Sequence, residues 1–342
     1  MRAQIDRLEV ANPPTSFSQE EMLGLLGLEG NEFAETIFAR CGVKTRRFGR
    51  GVTNGLLRKN LQERAPKTEE QLVRLATRAV DQLDIDPADV GTVITSNYYS
   101  LGGPTLAHRL LAHYEMDPST DKYHVLGVGC ASAVPLFKLA GQALRDHPEK
   151  YALVVAADSI TGFLTPVAEE DERTKIVGSA LFGDGCAAAL LTADSGNGAP
   201  AVAAARVHQV GETLDAVAFQ LRANDSYMQI GRELPLIAEE ELGGLVDAFL
   251  AEYALERSDV DHWLVHPGGR GIIEGVQKGL GLPEDAVEIS TGVLAEFGNM
   301  GTPSSFYVLK RTIEQRKPAA EDTGLMITIG PGVTVGLMLL SW

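Results

Sequence analysis

Three side chains in this sequence have the types that nucleophilic catalysis needs: Cys130 in GVGCASAVPLFKLAGQAL, His266 in HWLVHPGG and Asn299 in EFGNMGTPSS. A thiol attacks as its thiolate, and a neighbouring imidazole or a helix amino terminus favours that charged form. Asn299 offers an amide donor that binds a developing oxyanion without exchanging protons. Taken singly, each residue has a plainer reading: a packed core cysteine, a structural hydrogen-bonding histidine and a helix cap. Only the combination favours chemistry. Pro135 complicates the helix after Cys130, because proline removes a hydrogen bond anywhere beyond the first turn. That helix is therefore expected to start late or to kink.

The elements that must position these residues are read from periodicity. EEQLVRLATRAVDQL carries apolar residues at helical spacing, and DPADVGTVITSN reads as a turn and a β-branched strand. The same order returns later as LGGLVDAFLAEYAL and ERSDVDHWLVHPGG, with Asp89-Val90 and Asp259-Val260 standing 170 positions apart. GVGCASAVPLFKLAGQALR then pairs with FGNMGTPSSFYVLKRTIEQR at an offset of 169, which matches Cys130 to Asn299. LFGDGCAAALL and TIGPGVTVGLMLL close the two copies at a shorter offset of 147, because TGFLTPVAEEDERTKIVGSA lengthens the first. Three matches in one order indicate an internally duplicated α/β protein whose halves pack together. ADSGNGAPAVAAA marks the boundary, giving an amino-terminal half over 1–195 with the cysteine and a carboxy-terminal half over 196–342 with the histidine and asparagine. If approximate twofold symmetry relates the halves, Cys130 and Asn299 sit at equivalent junctions and face a common cleft, where His266 joins them.

Composition narrows the alternatives. The 342 residues are 44% hydrophobic and 22% charged, the make-up of a folded globular chain longer than one usual core. A net charge of −16, from 46 acidic and 30 basic residues, argues against a nucleic-acid or anionic-membrane partner. Any anionic ligand therefore needs a local basic patch. Three widely spaced cysteines, Cys41, Cys130 and Cys186, fit neither a disulfide framework nor a metal site and suggest a reducing compartment. MRAQIDRLEVANPP carries charges where a leader needs its apolar stretch, and the run LMITIGPGVTVGLMLL is broken by Gly-Pro-Gly, so a cytoplasmic protein is expected.

These residues resemble the thiolase-fold condensing enzymes, specifically the type III polyketide synthases of the chalcone synthase type. GVGCASA, VGSALFGDGCAA, VHPGGRGIIEGV, EFGNMGTPSSFYVL and IGPGVTVGLMLL carry the likeness over nearly the whole chain. HPGG with GNM separates this group from the ketosynthases that initiate fatty-acid synthesis. The resemblance implies two duplicated α/β halves in a five-layered αβαβα architecture, and an acyltransferase that condenses an acyl thioester starter with malonyl-coenzyme A. By it, Cys130 accepts the acyl group, His266 stabilises the thiolate, and His266 with Asn299 binds the malonyl thioester carbonyl during loss of carbon dioxide. It implies no cofactor beyond coenzyme A thioester substrates, an acyl carrier protein as an alternative donor, and a homodimer.

The resemblance also assigns the cavity. Phe182 matches one gatekeeper and Met228 the second, while Leu164 and Phe219 bring bulk that favours few extensions. Gly301 stands where the family commonly has serine, so the missing side chain is expected to open space. In KTRRFGRG, Lys44, Arg46, Arg47 and Arg50 are the candidates for binding the phosphates of the carrier, since guanidinium donors fork onto phosphate. Two other classes stand beside this reading: a single-condensation ketosynthase III-like enzyme or acyltransferase using carrier-protein substrates, and a non-catalytic pairing subunit. Joint presence of Cys130, His266 and Asn299 weighs against the last.

Overall fold

The structure is a computed structural model that describes residues 3–49, 61–98, 102–160, 173–193, 198–221 and 226–342. Up to Thr192 the strands are β1 (Ala3–Ala11), β2 (Thr15–Ser18), β3 (Thr45–Phe48), β4 (Val90–Ser96), β5 (Asp121–Val125), β6 (Tyr151–Asp158) and β7 (Gly185–Thr192). Among them lie α1 (Gln19–Leu26), α2 (Glu32–Arg40), α3 (Leu61–Asp81), α4 (Leu106–His113), α5 (Ala133–Asp146) and α6 (Arg173–Leu181). From Ala201 onward come β8 (Ala201–Gln209), β9 (Val217–Leu221), β10 (Ser226–Ile230), β11 (His262–Val265), β12 (Thr323–Gly330) and β13 (Thr334–Ser341). Helices α7 (Leu234–Ala251), α8 (Arg270–Leu280), α9 (Glu288–Phe297) and α10 (Pro303–Arg311) alternate with them.

The repeat read from the sequence is present in the hydrogen bonding. Nine strands join in the order β11-β12-β13-β8-β1-β7-β6-β4-β5. β4 runs parallel to β6, β6 antiparallel to β7, and β7 antiparallel to β1. β11, β12, β13 and β8 repeat those three relations in the same sequence. β1 and β8 share only the register pairs Ala3 with Val202 and Gln4 with Ala201, and there one copy's sheet passes into the other's.

Side-chain alternation builds the layers. Ala152, Val154 and Ala156 of β6 pack with residues of α5 and α10, whereas Leu153, Val155 and Ala157 pack with α3 and α4. In the second copy Met326 of β12 joins the α5/α10 core, and Leu325, Ile327 and Ile329 join α7 and α8. The result is helix, sheet, helix, sheet, helix. Strands covered on both faces read as unbroken apolar runs such as YALVVAA and GLMITIG, without polar alternation. Cys186 points into the core beneath α3 and α4 as a small apolar filler.

The middle layer joins the copies. Phe137 of α5 and Phe306 of α10 stack with centroids 4.9 Å apart and an interplanar angle of 26°. α5 begins at Ala133, after a 3-10 turn over Gly129–Ser132, so Pro135 falls in the first helical turn where its missing N–H has no intrahelical acceptor. The late start expected from the sequence is what the helix shows. Among the described residues, no helix is long and apolar enough to cross a membrane.

Removing one ring of the stacked pair leaves a cavity that the helices cannot collapse around. Phe306→Ala should lower stability by about 3–5 kcal/mol, measured as a fall in the urea unfolding midpoint with an unchanged slope.

Candidate active site

Cys130 lies buried in the 3-10 turn that feeds α5, the middle-layer helix of the first copy. Asn299 precedes α10, the equivalent helix of the second, and its amide stands 3.9 Å from Cys130 Sγ through both Oδ1 and Nδ2. The duplication thus brings the two repeat-related junctions face to face. Both ends of the Asn299 side chain are fixed, Oδ1 accepting from Gly301 N at 2.9 Å and Nδ2 donating to Gly268 O at 3.2 Å. Its backbone is clamped as well, because Asn299 N donates to Leu181 O and Gly183 N donates to Asn299 O.

His266 follows β11 directly, and its backbone N–H continues the strand pairing by donating to Ile327 O. Its Nδ1 lies 3.1 Å from Ser305 Oγ, while the buried Nε2 has no hydrogen-bond partner among the described residues. Ser305 is a site residue that sequence reading missed, and its hydroxyl can accept from Nδ1–H or donate to bare Nδ1. Nε2 is thereby able to present either a lone pair or an N–H.

Electrostatics set the resting protonation. Burial pushes the Cys130 thiol up to about 12, with the nearby Asp158 charge adding to the rise and hydrogen bonding from Asn299 and Tyr98 opposing it. Burial alone drives His266 down to about 3. Burial thus disfavours both the Cys130 thiolate and the His266 imidazolium.

Asp158, at the end of β6, is the second residue that the sequence did not flag. Its Oδ1 accepts from Tyr98 N at 2.8 Å and its Oδ2 from Thr302 N at 3.0 Å, so one carboxyl group ties β4's end to the Asn299 loop. Burial and the Asp184 charge raise it to about 7 against those two donors. Gly301 does not open space as anticipated. A Cβ there would lie 2.5 Å from Asp158 Oδ2, with the backbone at φ +70°, so the carboxyl group already fills the place of a side chain.

The cavity residues divide. Phe182 is buried and pairs by a parallel bridge with Asn299, which sets it beside the catalytic candidates. Phe219 and Met228 face each other across the β9/β10 hairpin, and the Phe219 ring reaches within 5.7 Å of the Tyr98 ring. Met228 packs on the same apolar cluster as Phe182. Leu164 and Arg50 lie outside the described residues.

The basic run does not form one patch. Residues 45–48 are a strand, whose period of two sends Arg46 and Arg47 to opposite faces. Arg46 is fully buried, donating to the carbonyls of Ser179 and Phe182 and to Gln19 Oε1, with its guanidinium over Phe38 and Phe48. Burial lowers it to about 9. It supports the Phe182 backbone and is not open to a phosphate. Arg47 donates to Pro14 O, and Lys44 is exposed beside a surface groove that Arg270 also lines.

Cys130 and Asn299 meet where two copies of an α/β unit join, in a layered fold of the thiolase-like class. Residues 10–233 match the model of the FAE1/Type III polyketide synthase-like protein family, and residues 202–341 that of the chalcone and stilbene synthases, C-terminal domain. The chain belongs to the type III polyketide synthase family. It is 25% identical to the 3,5-dihydroxyphenylacetyl-CoA synthase of Amycolatopsis orientalis over 96% of this chain and 90% of that one. It is 30% identical to the alpha-pyrone synthesis polyketide synthase-like Pks18 of Mycobacterium tuberculosis over 78% of this chain and 69% of that one. The crystal structure of PKS-I from the brown alga Ectocarpus siliculosus superposes with a TM-score of 0.91 at 27% identity, covering 99% of this chain and 98% of the other.

Replacing Asp158 separates its two effects. Asp158→Asn leaves one of the two N–H donors unpaired, an expected loss of about 1–3 kcal/mol, read from urea unfolding. Removing the negative charge should also lower the Cys130 pKa, so iodoacetamide should alkylate Cys130 faster than in wild type at pH 8.

Proposed function

We propose that Cys130, His266 and Asn299 perform a decarboxylative Claisen condensation between an acyl-coenzyme A starter and malonyl-coenzyme A. The Cys130 thiol gives its proton to His266 Nε2 as sulfur bonds to the acyl carbon. The bond to coenzyme A breaks, and the departing thiolate takes the proton back. His266 then acts as its Nε2–H tautomer, Nδ1 having lost its proton to solvent and Nε2 having gained one from solvent, so that Ser305 Oγ donates to Nδ1 and Nε2–H joins Asn299 Nδ2 at the malonyl thioester oxygen. Loss of carbon dioxide sends the electron pair into that oxygen as an enolate held by the two donors. The enolate carbon attacks the acyl-Cys130 carbonyl, a carbon–carbon bond forms, and Cys130 leaves as its thiolate.

The observation that carries this reading is the buried approach of the Asn299 amide to Cys130 Sγ at 3.9 Å, with Gly268, whose carbonyl takes that amide, next to a His266 ring whose Nε2 is unpartnered among the described residues. Few extensions are favoured by the Phe219 ring against Tyr98 and by the Asp158 carboxyl group where Gly301 lacks a side chain. Phe182 and Met228 are proposed as the gate, and Lys44 with Arg47 as the remaining basic contacts for the carrier phosphates. Coenzyme A thioesters are the substrates in this reading, with an acyl carrier protein as the alternative donor, in a cytoplasmic enzyme that needs no cofactor.

Two finer points belong to the same proposal. The division at 195/196 is supported by the end of β7 at Thr192 and the start of β8 at Ala201. A homodimer is supported by β5, an edge strand paired only to β4, which leaves Tyr123 and the adjoining Leu126 about half exposed at 47% and 45%.

Incubation with an acyl-coenzyme A should add one acyl mass to the intact protein and none to Cys130→Ala. An adduct that survives in Cys130→Ala, or none with any starter, would overturn the assignment. Asn299→Ala should still acylate but release carbon dioxide from malonyl-coenzyme A at least ~100-fold more slowly, the usual loss for an oxyanion donor. Counting carbon dioxide per product reads the number of extensions, expected to be small.

A further inference from the structure

Tyr98 follows β4, the strand that repeats as β11 in the second copy, and β11 is the strand that delivers His266. Its ring is buried against Phe219, and its backbone N–H is fixed on Asp158 Oδ1. The hydroxyl is buried and without a well-formed hydrogen bond among the described residues. It lies against the nucleophile turn: a Cβ added at Gly129 would stand 1.6 Å from Tyr98 Oη. Gly129, at φ +57°, thus leaves the space that the phenol enters.

A buried hydroxyl with a thiol as its acceptor is poorly satisfied, and phenylalanine would fill the same volume without that cost. The hydroxyl faces both the backbone amide and the thiol of Cys130. While sulfur is a thiol, it is a weak acceptor and the hydroxyl gains little. When sulfur is charged, an O–H donor beside it becomes one of the stronger hydrogen-bond types.

On this geometry we infer that Tyr98 is a further catalytic residue, its phenol donating a hydrogen bond to Cys130 Sγ as that sulfur becomes the thiolate. This rests on the assignment of Cys130 as the acylated nucleophile. The phenol keeps its proton throughout, since burial and the neighbouring Cys130 and Asp158 charges hold its ionisation well above the ordinary tyrosine range. Of the titratable groups around the pair, Asp158 bears on both Tyr98 and Cys130, and Asp184 stands behind Asp158. Their charges oppose a thiolate, and the phenol supplies a donor on the opposing side of the balance. Asn299 can then serve the malonyl oxygen while Tyr98 serves the sulfur.

The test is the pH profile of iodoacetamide alkylation at Cys130, followed by peptide mass, in wild type, Tyr98→Phe and Cys130→Ala. Tyr98→Phe should move the profile to higher pH and slow alkylation at pH 8 by roughly tenfold or more, the worth of one hydrogen bond to a charged group. A loosened site would relieve the desolvation of Cys130 and move the profile the other way, to lower pH. If wild type forms a Cys130-dependent acyl adduct but a folded Tyr98→Phe alkylates along the wild-type profile, this inference falls and the nucleophile assignment stands. Absence of that adduct in wild type overturns both. Should Tyr98→Phe fail to fold, 4-fluorophenylalanine placed at position 98 keeps the ring and removes the donor; it should slow alkylation at pH 8 to the same degree, and a wild-type rate would overturn the inference.

Discussion

Burial of the central strands on both faces is the constraint from which the site follows. Residues 152–157 of β6 and 325–327 of β12 are apolar because each faces a helix layer whichever way it points. The polar groups of the candidate site enter the interior where a strand stops or a middle-layer helix begins. Tyr98, Asp158 and His266 sit at strand ends, and Cys130 and Asn299 at the approaches to α5 and α10. Duplication turns two such sets of ends toward each other. The candidate site is the seam that results.

The same burial sets the chemistry's difficulty. Cys130 is pushed up to about 12, Asp158 up to about 7 and His266 down to about 3, each shift disfavouring the charged form. A site so dry suppresses standing charge and strengthens every hydrogen bond made to a charge that forms during reaction. Ser305 behind His266, and Gly268 and Gly301 about Asn299, hold these donors in place beforehand.

Arg46 shows how a charge is kept in the interior without a carboxylate. Its guanidinium takes carbonyl oxygens from the end of α6 and lies on two aromatic faces, and so secures the backbone of Phe182. Phe182 is in turn bridged to Asn299. A residue that seemed by type to await a phosphate is part of the wall of the site.

Periodicity and residue type are local properties, and what they govern was legible. The apolar runs of β6 and β12, the repeated Asp-Val turns, the late start of α5 after Pro135, and the meeting of Cys130 with Asn299 through their equivalent places in the repeat all follow from order along the chain. Contacts between distant segments were not. Lys44, Arg46 and Arg47 look like one patch in sequence, and strand alternation sends the two arginines apart. Gly301 reads as empty space, but Asp158, far away in the chain, fills it. Tyr98 and Ser305 carry no motif, and their place beside Cys130 and His266 exists only once the layers stack. The sequence by itself determined the duplicated layers and which residue types meet at their seam; tertiary packing alone decided which atoms face one another there and how far burial shifts their protons, because desolvation depends on everything that surrounds a group in space.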